Sequence, residues 1–199
     1  MAGLDGGGKT DSGETERSRP LTSGERAIAR AVFGDALDPA LIELRGDKFA
    51  PFQPTGAVLA EARRVWFGPL LPRDFAAASV PMRALLVHEL THCAQARAGM
   101  DLWVRGVGAH LRAFVTRRSA YDYDRGPAPL LGRPFEHQAA MVEDAYRMVR
   151  GVPPRRAGAT LPALLEALGH APGHASGARA SLSASLSLGA PPLLNTPLR

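Results

Sequence analysis

Residues 84–96 read ALLVHELTHCAQA, and this stretch decides how the rest of the chain is read. Leu85, Leu86, Val87, Leu90, Cys93, Ala94 and Ala96 fall on nearly every side of a helix. A helix that is apolar on most sides is buried. Yet this one carries His88, Glu89 and His92. Burying ionisable groups costs several kcal/mol unless they are paired or bind metal. Residues four apart lie one above the other on a helix face, so His88 and His92 can direct two imidazoles at one point. Glu89 stands beside them. The pattern is HExxH, in which two histidines hold zinc and the glutamate handles a proton. The competing reading is two core histidines satisfied by hydrogen bonds, with Glu89 on a solvated edge.

A catalytic zinc takes three protein ligands and leaves a position open for water. The metzincin pattern needs Gly and His three and six residues after the second histidine. Gln95 and Ala98 stand there, which excludes it. The later candidates are His110, Asp122, Asp124, Glu136, His137, Glu143 and Asp144. A helix predicted from Pro134 to Arg150, closed by Gly151, has an apolar stripe of Phe135, Ala139, Val142, Tyr146 and Val149. Glu136 and Glu143 flank one edge of that stripe, and His137 and Asp144 face away. Periodicity leaves Glu136 and Glu143 and does not choose between them. Cys93 reads as a small buried apolar residue rather than a ligand. Gln95 reads as a buried polar group bonded to backbone.

Around this segment the chain organises simply. Thr22 and Glu25 have capping-box spacing ahead of Ile28, Val32 and Phe33, and Gly34 stops that helix. Short β-like pieces follow at 41–45, 56–60 and 64–68. The HExxH helix is expected over about 80–98, with Ser79 as cap and Gly99 as stop. Residues 100–133 read as irregular, with a strand or helix around 103–116. Residues 1–20 are polar and expected to be disordered. Residues 152–199 read as a mostly flexible tail, with a short helix at 161–168 between Thr160 and Gly169. The packed domain is thus expected over 21–151.

Composition excludes several classes. The 199 residues suit one domain of ordinary size. The net charge is +5, and 22 of the 24 basic residues are arginine. They are diluted along the chain without a basic cluster, so nucleic acid is not an expected partner. Cys93 is the single cysteine, which excludes an intrachain disulfide or a multi-cysteine zinc site. No apolar run approaches the ~20 residues of a membrane span. The N-terminus lacks the apolar core of a secretory signal, so the expected location is cytoplasmic, with export by another route left open.

The segments LTSGERAIARAVFGDALD, PFQP, VWF, LVHELTHCAQ, YDYD and GRPFEHQAAMVEDAYRMVRG cover about two thirds of the chain. In them the chain resembles the Vgr-related proteins, small bacterial proteins of the zincin metallopeptidase class. It also resembles metallopeptidase-like domains of contractile injection systems. The resemblance implies an α+β zincin-like fold: a small mixed sheet beside the HExxH helix, and a second ligand-bearing helix. An E-x-Q-A segment supplies the third ligand in such families. Here it is EHQA, which implies that Glu136 joins His88 and His92 on zinc and that Glu143 does not. The family commonly has an aromatic where this chain has Ala94. It also commonly has a carboxylate four residues after the third ligand, able to brace a ligand histidine; Ala140 stands there. The implied activity is hydrolysis of peptide or amide bonds in a peptide or protein substrate by metal-activated water, with Glu89 as general base. Tyr121 and Tyr123, in SAYDYDRG, read first as packed loop tyrosines, and either is a candidate to donate a hydrogen bond to a developing oxyanion. The alternative is a non-catalytic accessory or cargo protein working with secretion-apparatus components.

Overall fold

The computed structural model describes residues 18–51, 56–101, 130 and 132–169. Helix α1 (Ser23–Phe33) begins as its sequence demands. Glu25 N donates to Thr22 Oγ1 at 3.1 Å, and Thr22 N donates to Glu25 Oε2 at 2.8 Å. This reciprocal cap satisfies two backbone donors that a helix start otherwise leaves open. Glu25 does more than cap. It is fully buried, and it accepts from both terminal nitrogens of Arg19 and from Phe75 N. Arg19 in turn donates to Pro72 O at 2.9 Å. One carboxylate therefore ties the chain's first strand and the approach to the next long helix to the same point.

That strand, β1 (Ser18–Pro20), corrects the expectation of disorder for the last three residues of the 1–20 segment. It pairs antiparallel with β2 (Glu43–Arg45). A stretch of three residues has too little pattern to declare itself; its partner strand and the Arg19–Glu25 pair hold it. β2 runs parallel to β4 (Arg64–Trp66), with Leu44 opposite Val65, and β3 (Leu59–Ala60) closes the order β1-β2-β4-β3 antiparallel to β4. The sheet is small and mixed, as expected, with β2, β3 and β4 each shorter than the β-like pieces at 41–45, 56–60 and 64–68. Leu44, Val65 and Phe67 are fully buried toward the helices.

Helix α2 (Val80–Arg97) lies between the sheet and helix α3 (Phe135–Val149). This sandwiching accounts for its apolar residues on almost all sides: Ala84, Leu86, Val87, Leu90, Cys93 and Ala94 are all buried. Ser79 sits at the N-cap position but makes no side-chain cap bond, and Pro134 sits at the N-cap of α3 rather than in its first turn. Gly99 and Gly151 adopt φ of 90° and 76°, the left-handed backbone that ends a helix.

The tail is also corrected in part. Helix α4 (Leu161–Ala167) packs on α3, burying Leu164 and Leu165, and Leu168 beyond its end is fully buried. Packing thus continues past 151 to Leu168. Residues 1–17 and 170–199 lie outside the described residues, as do the strand or helix expected around 103–116, His110, Tyr121, Asp122, Tyr123 and Asp124. Among the described residues, no helix is long and apolar enough to cross a membrane.

Candidate metal centre

The centre forms where the last half of α2 faces the first two turns of α3. His88 and His92 stack edge to face, with ring centroids 5.0 Å apart. Glu136 reaches across from α3. Its Oε2 lies 3.5 Å from His88 Nε2 and 3.4 Å from His92 Nε2. The three ligand atoms lie within 4.8 Å of one another, and all three residues are buried. Glu136 Oε2 is itself buried and has no hydrogen-bond partner among the described residues. A buried carboxylate oxygen without a hydrogen bond is costly. Two imidazole nitrogens converging on it make a site that a cation would satisfy.

Each imidazole is held from behind. His92 Nδ1 donates to Gln95 Oε1 at 2.8 Å. The direction of that bond follows from its neighbours. Gln95 Nε2 donates to Phe135 O and to Gln138 Oε1, and Gln138 Nε2 donates to Arg133 O. Phe135 O and Arg133 O are carbonyls and can only accept, so both amides are oriented and Gln95 presents its oxygen to His92. The proton of neutral His92 therefore sits on Nδ1, and Nε2 carries the lone pair. Phe135 packs against the same ring at 5.4 Å between centroids.

His88 is treated alike by a different residue. Its Nδ1 donates to Glu143 Oε2 at 3.1 Å. A carboxylate can only accept, so the neutral form of His88 keeps its proton on Nδ1 and faces the site with its Nε2 lone pair. Glu143 stands outside the group of three converging atoms, and it braces one of them from behind, which answers Ala140. The bracing carboxylate is present seven residues after Glu136 instead of four, two turns along the same face. Asp144, expected to face away from the core, is fully buried and accepts from Arg155 N at 2.6 Å. Arg156, in the stretch expected to be a flexible tail, is almost buried and pairs with Glu143 at 3.1 Å. The position of Glu143 on the stripe's edge signalled its burial; nothing in the sequence signalled Arg156.

The electrostatics follow from this crowding. Burial disfavours a charged His88, but Glu136 and Glu143 outweigh it and push its pKa up to about 9. Burial likewise disfavours ionised Glu136, yet the two imidazoles hold its carboxyl far below the usual range. Glu143 is burdened by burial and still lowered by His88 and Arg156. Glu89 behaves oppositely. Burial pushes its carboxyl up, against the pull of His88 and His92. Burial, with Glu89 nearby, also pushes the Cys93 thiol far up, which keeps it protonated and apolar in behaviour.

No family model matches the chain. It is 29% identical over 136 residues to the type VI secretion system spike protein VgrG2b of Pseudomonas aeruginosa. The match covers 67% of this chain and 13% of that protein, so the chain corresponds to a small part of the spike protein's length. Among solved structures it is similar to the effector domain of P. aeruginosa VgrG2b, with a TM-score of 0.62 and 29% identity over 66% of this chain and 75% of that one. Likeness in both sequence and fold supports homology to that effector domain and a Vgr-related grouping.

Proposed function

We propose that this chain works with a type VI secretion apparatus, as an effector or as an accessory domain. The observation that carries this reading is its shared sequence and fold with the VgrG2b effector domain. A tagged chain should then appear in the medium of cells with a working apparatus and stay inside cells whose apparatus is disabled. Equal release from both would remove the reading.

We further infer that the buried His88, His92 and Glu136 hold zinc, in a zincin-like centre. Two imidazoles and one carboxylate, with each imidazole braced through Nδ1, suit zinc. Purified protein should carry about one zinc per chain, and His92→Ala should lose most of it. Equal zinc in both would end the assignment.

Hydrolysis of peptide or amide bonds is the activity we assign to this centre, and Glu89 is the reason. A purely structural site needs no additional carboxyl beside the metal, and Glu89 is buried there. A bound zinc would supply an acidified water and a polarised carbonyl. Glu89, its carboxyl raised by burial, would take a proton at a carboxylate oxygen and return it to the leaving nitrogen. His88 and His92 bind and do not exchange protons, because their Nδ1 protons are committed to Glu143 and Gln95. Tyr121 or Tyr123 is retained as the proposed oxyanion donor. The competing reading, an accessory protein with a structural or vestigial metal, predicts full zinc content with no turnover of any general protein substrate.

A further inference from the structure

We propose that Arg156 is a positioning residue of the metal centre, acting through Glu143 on His88. The inference rests on the reading that His88, His92 and Glu136 hold a metal. Arg156 Nη1 donates to Glu143 Oε2 at 3.1 Å, and that same oxygen accepts from His88 Nδ1 at 3.1 Å. One atom is therefore shared between a guanidinium and a ligand histidine. The same nitrogen also donates to Ala140 O at 3.3 Å and lies 3.6 Å from Asp144 Oδ1. Arg156 is thus fixed to three points of α3: Ala140 about one turn before Glu143, Glu143 itself, and Asp144 directly after it.

The chain delivers Arg156 there by a pinned turn. Val152 N donates to Arg147 O at 2.9 Å, Arg147 Nε donates to Pro153 O at 3.0 Å, and Arg155 N donates to Asp144 Oδ1. Pro153 and Pro154 restrict the backbone between these anchors. Arg155 also approaches Glu143, at 3.8 Å, but its side chain is 64% exposed and water screens it. The buried cation that faces Glu143 is Arg156.

A carboxylate with only His88 to hold it could rotate and take the imidazole with it. Arg156 removes that freedom, so His88 Nε2 stays aimed at the point where His92 Nε2 and Glu136 Oε2 meet. Partners that fix a ligand histidine in this way typically change metal affinity by ~10–100-fold when removed. The action is indirect: Arg156 touches neither metal nor substrate.

The test is a double-mutant cycle read by zinc affinity, with chelator competition, and by the visible absorption of the Co2+-substituted protein. Arg156→Met should weaken zinc binding roughly 10-fold or more and alter the Co2+ spectrum. Glu143→Ala should weaken it at least as much. In the Glu143→Ala background, Arg156→Met should cost nothing further, because the link is already cut. Arg156→Lys, which keeps the charge but loses the fork, should recover part of the loss. Should Arg156→Met fail to fold, Arg156→Lys in the two backgrounds gives the same comparison: a smaller loss with Glu143 present and none without it. Unchanged affinity in the Arg156 variants would overturn the inference, and so would an equal loss in both backgrounds. A wild-type protein that binds no zinc would overturn the metal assignment first and this inference with it.

Discussion

At the residue scale, the centre is decided by which atoms can donate. Glu143 and Gln95 each face an Nδ1 with an oxygen, and the two Nε2 atoms are left to point at Glu136 Oε2. Ligand identity alone would not produce this; a histidine presenting Nε2–H would repel a cation. Glu89 differs from all of these because its carboxyl is raised, not lowered. Its expected role therefore separates cleanly from binding. Glu89→Gln should retain zinc while hydrolysis of any substrate cleaved by the wild type falls ~100-fold or more. Undiminished turnover in that variant would remove Glu89 as the base. Glu136→Ala should instead lose zinc, since it removes a ligand.

At the scale of elements, α3 is the piece that assembles the site. It carries the proposed ligand Glu136 and, two turns on, the brace Glu143, and the carbonyls of Phe135 in its first turn and of Arg133 just before it orient the amides behind His92. Its other faces must be covered, and α4 covers one of them. Leu168→Ala should accordingly destabilise the fold by ~2–5 kcal/mol in denaturant unfolding, the range for a fully buried leucine. A change under ~0.5 kcal/mol would return this segment to the status of a tail. Helix α1 offers a prediction whose sign runs against propensity. Alanine favours a helix over glycine by ~1 kcal/mol. A Cβ at Gly24, however, would sit 2.6 Å from Ala76 Cβ, and Ala76 has no flexible end to move aside. Gly24→Ala should therefore destabilise by ~1–3 kcal/mol, measured by the same unfolding midpoint.

At the scale of the whole molecule, the charged cluster between α2 and α3 links metal, protons and stability. In the metal-free protein His88 has a raised pKa of about 9. Its contribution to stability is fully present below its unfolded pKa of ~6.5 and is lost as pH rises through about 9. Glu136 and Glu143 are depressed, so their contribution is present above the ordinary carboxylate range and is lost only in acid. Zinc bound at the proposed site would reverse the first of these trends, because it requires neutral His88 and must displace its proton. The gap in Tm between zinc-loaded and chelator-treated protein should therefore widen as pH rises from 6.5 to 9. Calorimetry at pH 7 should show proton release on zinc binding. A gap that narrows with pH would contradict the charge state derived for His88.

The sequence by itself determined the pieces that depend on local chemistry. The capping box at Thr22–Glu25, the glycine stops, the nearly all-round apolar run of α2 and the 3.6-residue stripe of α3 are each legible within a short stretch, so the elements could be placed from them. The two histidines of the centre were legible for the same reason, since a spacing of four on a buried helix already fixes a shared direction. Glu136 was legible only through the family's E-x-Q-A segment, because periodicity left it level with Glu143. What tertiary structure alone decided was how partners far apart in the chain meet. β1 exists because Glu43–Arg45 pairs with it and Glu25 holds Arg19. Glu143 became a brace because α3 packs with that edge against His88, and Arg156 became part of the centre because a turn beyond Gly151 folds back on α3. Burial and pairing at long range create these roles: the same glutamate or arginine on an open surface would be solvated, and no local pattern distinguishes the two fates.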